Sequence, residues 1–168
     1  MGQKNQIREK LTEAIFENPE KSFTIREFAS ITKIPKSTIQ RYVIALQKEH
    51  VMDKENKFII TNYTKFKKAS HLIDKLFASG IIDYLEAKLL PSVIIVFGSV
   101  RKGEYNKDSD IDIFIETTKG NIIDISKFEK KLKHKIQLFK ESDINNLPKE
   151  LFNNIVNGIK LSGYLRIK

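Results

Sequence analysis

Between Val93 and Glu116 the chain reads VIIVFGSVRKGEYNKDSDIDIFIE. An unbroken apolar run, Val93 to Phe97, ends in Gly98-Ser99. A charged loop follows, and Asp110 and Asp112 then alternate with Ile111, Ile113, Phe114 and Ile115. On a strand, residues i and i+2 point to the same face. Asp110 and Asp112 are therefore expected to project together, with Ile111 and Ile113 on the other side. Adjacent carboxylates repel and are expensive to desolvate unless a cation lies between them. Hard divalent cations such as Mg²⁺ prefer such oxygen ligands, with substrate phosphates completing the shell. Gly98 permits close backbone approach after a strand, and Ser99 is expected to begin a short helix whose free N–H groups attract anions. A phosphate cradle and a metal seat on consecutive strands suit phosphoryl or nucleotidyl transfer. Either motif alone is common: Gly-Ser follows many strands, and D-x-D is often a solvated strand end.

Gly98-Ser99, ten intervening residues and Asp110-Ile111-Asp112 together resemble the signature of the DNA polymerase beta-like nucleotidyltransferase superfamily, and most of all its minimal nucleotidyltransferases. The resemblance covers roughly Pro91 to Lys168. It implies that Gly98 and Ser99 bind the triphosphate and that Asp110 and Asp112 bind Mg²⁺ and are catalytic. ATP or another nucleoside triphosphate would be the substrate.

At 168 residues the chain suits one ordinary domain or two small ones, and 40% hydrophobic content supports packed cores. No apolar run approaches the ~20 residues of a membrane span. The N-terminus, MGQKNQIREK, lacks the apolar centre of a signal peptide. With no cysteine there is neither disulfide nor thiolate metal site, so a cytoplasmic, membrane-free protein is expected. The net charge is +9. Residues 1–68 hold 14 basic and 8 acidic residues, a net +6, against +3 for the remainder. That bias favours a polyanionic partner for the first part, though a basic surface also confers solubility.

The fold class read from the pattern is α+β, with a winged helix-turn-helix over 1–61, a helical connector over 62–90 and a nucleotidyltransferase sheet domain over 91–168. In the first segment, Ile7, Leu11, Ala14 and Ile15 recur at helical spacing until Asn18-Pro19. Thr24-Ile25-Arg26-Glu27 reads as a capping box. It opens a short helix with Ile25, Phe28, Ala29 and Ile31 on its apolar side. After Ile34-Pro35 a third helix, capped by Ser37 or a neighbour, turns Ile39, Tyr42, Val43 and Leu46 inward. Val51-Met52 and Phe58-Ile59-Ile60 flank a turn like a hairpin wing. Three helices and a hairpin in this order resemble a winged helix-turn-helix. The third helix would then enter the DNA major groove with Lys36, Ser37, Thr38, Gln40 and Arg41 outward. Lys36 and Arg41 suit phosphate or guanine and Gln40 suits adenine, while Lys54 and Lys57 charge the wing. Winged helices also mediate protein contacts and dimerisation. Their paired half-sites make a homodimer the expected assembly.

In the connector, Phe66, Ala69, Leu72 or Ile73, Leu76 and Phe77 form the expected buried stripe up to Gly80. A second helix then runs to Pro91. The last domain is expected as a small sheet with helices on one side, its strands at Val93–Phe97, Ile111–Glu116 and Lys135–Phe139. Helices are expected over Ile122–Leu132 and from Leu147-Pro148 to about Gly158. Arg101, Lys102 and Lys107 lie in the loop between the motifs, where fixed cations stabilise triphosphate or leaving pyrophosphate.

One departure stands out. The resemblance implies a third carboxylate on the strand after D-x-D, yet the matching position is Gln137. An amide cannot serve as an anionic base. Glu141, on the same face, is a candidate substitute.

The leading expectation is Mg²⁺-dependent transfer of AMP from ATP to a protein or other acceptor. The resemblance also implies an antitoxin role beside a HEPN-type toxin. The alternative is a DNA-binding regulator whose degenerate nucleotidyltransferase domain only binds nucleotide.

Overall fold

The computed structural model describes the backbone of residues 3–167 and the side chains of residues 6–167. Met1, Gly2 and Lys168, at the ends of the segments read above, lie outside the described residues. The chain divides into two compact units, Met1–Thr64 and Lys65–Lys168.

The first unit is built from α1 (Gln3–Glu17), α2 (Ile25–Thr32) and α3 (Lys36–Lys48). Thr24 and Glu27 form a reciprocal cap on α2. The Thr24 backbone N–H donates to Glu27 at 2.8 Å, and the Glu27 N–H donates to the Thr24 hydroxyl at 3.1 Å. Lys21, hydrogen-bonded to the Glu27 carboxylate, and the Thr24 N–H together hold that carboxyl down at about 2. α3 starts differently from expectation: Pro35 is its N-cap and no side chain caps it. The Pro35 carbonyl instead accepts the N–H groups of Thr38 and Ile39. Proline's fixed φ already holds the entry turn, so Ser37 is left exposed inside the helix. Ile31, expected to be apolar-side, is also exposed, and Thr32 is buried in its place.

Leu11, Ile15, Phe16, Phe28, Ile39, Leu46, Met52 and Phe58 make up the centre of this unit. Phe16 meets Phe58 edge-on with ring centroids 5.5 Å apart. The expected hairpin contracts to one antiparallel bridge, Met52↔Phe58. Its turn is pinned by Asp53 and Lys57 at 2.9 Å and by Gln47, which donates to Asn56 at 2.9 Å. Arg8 pairs with Glu49 and so ties α1 to the end of α3.

α4 (Asn62–Ser79) begins in the first unit and continues into the second. Within the second unit it buries Lys68, Ala69, Leu72 and Leu76, while Phe66 and Phe77 face solvent. Spacing explains the correction: 68, 72 and 76 stack on one face, and Phe66 lies two residues, or about 200°, away from it. α5 (Ile81–Leu89) follows Gly80 and buries Ile81, Ile82, Leu85 and Leu89.

Four strands form a sheet of order β3-β2-β1-β4: β1 (Val93–Val96), β2 (Ile111–Glu116), β3 (Ile136–Glu141) and β4 (Ile159–Gly163). β1 runs antiparallel to β2 and β4, and β2 runs parallel to β3. Val93, Ile95, Phe97 and Phe114 share one core with Ile144 and Ile155. Ile155 belongs to α8 (Lys149–Val156). The alternate residues Ile94, Val96, Ile111, Ile113 and Ile115 are buried too. Both faces of the central strands are therefore covered, not one. Apolar residues at odd and even positions alike require a layer on each side. A short helix, α6 (Gly98–Lys102), follows β1.

The helix after β2 is shorter than its apolar residues suggest. α7 covers Ser126–Leu132, and Ile122 is fully exposed. The Asp124 carboxylate accepts the Ser126 N–H at 2.9 Å. That local turn competes with helix and delays its start. Among the described residues, no helix is long and apolar enough to cross a membrane.

Candidate active site

The end of β1 and the start of β2 lie side by side because the strands are antiparallel, with Val96 opposite Ile113. Phe97 extends the pairing by donating its N–H to the Asp112 carbonyl at 3.0 Å. The chain then turns sharply at Gly98, whose φ is +65°. A Cβ at Gly98 would lie 2.1 Å from Asp112 Oδ2. The carboxylate thus rests directly on the glycine, and any larger residue there would have to displace it. Gly98 and Ser99 form the first turn of α6, where backbone N–H groups lack helical acceptors. Gly98 and the Asp112 carboxylate, fourteen residues apart in sequence, meet at one point.

Asp110 is exposed and Asp112 half-buried. Burial, reinforced by the nearby Asp110 charge, raises the Asp112 carboxyl above the ordinary aspartate value of 3.8. Both causes would be relieved by a cation. The donor set is two hard carboxylate oxygen ligands, which fits Mg²⁺ provided substrate phosphates and water complete the shell. Among the described residues no group of three or more His, Asp or Glu side chains is arranged to hold a metal.

Register decides the third carboxylate. Gln137 pairs with Asp112, and Glu141 pairs with Glu116. Four residues along a strand span roughly 13 Å, so Glu141 stands at the far end of β3 from the aspartates. Its carboxylate accepts the Ser142 N–H at 2.8 Å. The position beside Asp112 is therefore an amide, and Glu141 does not replace it.

Arg101 and Lys102 sit exposed on the last turn of α6, and Lys107 is exposed in the loop beyond it. In the first unit, Lys36, Ser37, Gln40 and Arg41 are exposed on α3 and Thr38 is half-buried. On the opposite hairpin limb Lys57 pairs with Glu20 at 2.9 Å.

Sequence reasoning missed the groups that brace this loop. Gly103, at φ +66°, packs against the backbone of α4: its Cβ would lie 2.1 Å from the Lys65 carbonyl oxygen. Lys65 pairs with Glu104 at 2.6 Å. Tyr105 is fully buried and donates its hydroxyl to the Lys68 carbonyl at 3.1 Å. The Lys68 ammonium lies over the same ring, 4.6 Å from its centroid. Next to Asp110, the Ser109 carbonyl stands 2.8 Å from His134 Nδ1. The one available signal was a lone tyrosine between two charged stretches, an aromatic with no reason to be in a solvated loop.

No curated protein and no solved structure matches the chain. Residues 78–160, from the last turn of α4 through α5 and into β4, match the family model described as a nucleotidyltransferase domain.

Proposed function

We propose that residues 91–168 transfer AMP from ATP, with Mg²⁺, to a hydroxyl of a protein or other acceptor. Residues 1–61 would serve as a DNA-binding winged helix, joined through a connector over 62–90. The family match supports nucleotidyl transfer in general. The observation that carries the reading is the seating of the Asp112 carboxylate on the Gly98 turn. In the reaction the acceptor oxygen forms a bond to the α-phosphorus, the bond from that phosphorus to the bridging oxygen breaks, pyrophosphate leaves with that oxygen, and the hydroxyl proton passes to solvent. Asp110 and Asp112 would hold Mg²⁺, which supplies charge neutralisation at the phosphates when bound. The N–H groups of Gly98 and Ser99 receive phosphate oxygens, and Arg101 and Lys102 supply fixed positive charge. In the first unit the exposed Lys36, Ser37, Gln40 and Arg41 support DNA contact, and Thr38 belongs to the same helix face. The assembly is a cytoplasmic homodimer, with a HEPN-type toxin as the acceptor or partner protein.

The register of Gln137 with Asp112 favours a second reading, in which the domain binds nucleotide and signals to the DNA-binding unit without turnover. One assay separates the two. ATP labelled at the α-phosphate is incubated with Mg²⁺, the full chain and the product of the neighbouring gene. Label transfer that disappears in Asp110→Ala/Asp112→Ala supports the enzyme. ATP binding without transfer supports the sensor, and Gln137→Glu then tests whether the missing carboxylate is the reason. For DNA, Arg41→Ala should weaken binding and reduce the salt dependence of log K by about one unit. Affinity indifferent to salt contradicts DNA contact.

A further inference from the structure

The sheet has a second open edge. β2, β3 and β4 end, and β1 begins, on the side opposite Gly98 and Asp112. Their ends enclose an open cleft of about 440 Å³, lined by Ser92, Glu116, Thr118, Ser142, Tyr164 and Arg166 among others. That volume falls within the range of small-molecule sites. Glu116 is four residues beyond Asp112 on β2, or roughly 13 Å along the strand. The two sites are therefore separate.

The cleft is held in shape by specific contacts. Glu116 accepts the Ser92 hydroxyl on one carboxylate oxygen and the Ile144 N–H, at 2.9 Å, on the other. A carboxylate offers about four acceptor positions, so Glu116 is fixed with roughly two still open. Gly163 turns the chain at φ +77°, and a Cβ there would lie 2.0 Å from the Ser92 carbonyl oxygen. The following Tyr164 N–H donates to that same oxygen at 2.7 Å. This turn brings Tyr164 to the cleft with 68% of its surface exposed. Arg166, two residues on, is exposed and makes no ion pair among the described residues.

Three chemistries thus converge. The Tyr164 ring offers a stacking face, Arg166 offers a bidentate anion contact, and Glu116 offers fixed acceptors for hydroxyl or amine donors. The Thr118 and Ser142 hydroxyls add neutral polar contacts. A ligand that uses all three carries a planar ring, hydroxyl donors and an anionic group. We infer that this cleft is a second site, for a nucleoside monophosphate, separate from the Gly98–Asp112 site and independent of whether that site performs transfer.

The test uses the full chain carrying Asp110→Asn/Asp112→Asn, in EDTA, titrated calorimetrically with AMP, adenosine and inorganic phosphate. AMP should bind saturably at one site per chain, with adenosine and phosphate each weaker by about tenfold or more. Arg166→Gln and Tyr164→Ala, both at exposed positions, should each weaken AMP by about tenfold or more, with unchanged circular dichroism. Absence of saturable AMP binding overturns the assignment. So does AMP affinity indifferent to both substitutions. Loss of label transfer in the same double variant leaves it standing, because the transfer site is already disabled there.

Discussion

Gly98→Ala isolates the contact on which the active-site reading depends. Two penalties are built into that position. The first is backbone: φ of +65° is left-handed, and an L side chain there costs about 1–2 kcal/mol. The second is steric. The new Cβ would start 2.1 Å from Asp112 Oδ2, where ordinary contact begins near 3.4 Å. The carboxylate must move by roughly 1.3 Å or the turn must open by as much. Errors of about 1 Å in positioning cost on the order of a hundredfold in reaction rate. Gly80→Ala is the matched control. Its φ is +84°, yet nothing lies within 4 Å of the new Cβ. It carries the backbone penalty alone. Thermal unfolding and calorimetric titration with Mg²⁺ and ATP should therefore diverge. Both variants lose stability, by about 4–8 °C per kcal/mol for a unit of this size, but only Gly98→Ala loses Mg²⁺-dependent ATP binding. If Gly98→Ala binds as well as Gly80→Ala, the carboxylate seated on the turn is not part of a nucleotide site.

Asp112 makes a pH prediction. Its raised carboxyl pKa means that, without cation, its contribution to stability is present below the unfolded value and lost as pH rises through the folded one. Asp112→Asn should accordingly raise the melting temperature of the metal-free protein at neutral pH while removing stabilisation by Mg²⁺. In the wild type, cation affinity should fall with pH earlier than for an ordinary aspartate pair. Asp110→Asn removes a charge that raises the Asp112 carboxyl, so protonation of Asp112, and the loss of cation affinity that follows it, should move to lower pH in a pH series of metal titrations. In the first unit, Thr24→Ala removes the α2 cap and should destabilise by about 0.5–2 kcal/mol in denaturant unfolding. A negligible change would show that the reciprocal Thr24–Glu27 bonds contribute nothing net.

Local chemistry was legible in the sequence, and long-range register was not. Thr24 and Glu27 are three residues apart, so the capping box could be read directly and is present. The alternation at the start of β2 could also be read directly: Ile111 and Ile113 are buried and Asp112 between them is half-buried. Whether Gln137 or Glu141 stands beside Asp112 depends on a parallel pairing between strands separated by α7. Period two allows either residue on that face, and only the register chooses. Helix ends failed for a related reason. Ile122 and Ile123 look like core, but Asp124 offers Ser126 a local bond that the apolar pattern cannot reveal. The buried Lys68 was hidden by its residue type. Its side chain is buried and its charge lies over the Tyr105 ring, so a lysine occupies a position that periodicity alone would give to an aliphatic residue. The second cleft was invisible because it joins four strand ends spread from Ser92 to Arg166.

The most direct measurement is the affinity of the full chain for ATP with and without Mg²⁺, compared with Asp110→Asn/Asp112→Asn under the same conditions. Mg²⁺ should strengthen ATP binding in the wild type and have no effect in the double variant. Equal Mg²⁺ dependence in both proteins would contradict this, because the cation would then be held somewhere other than beside the Gly98 turn.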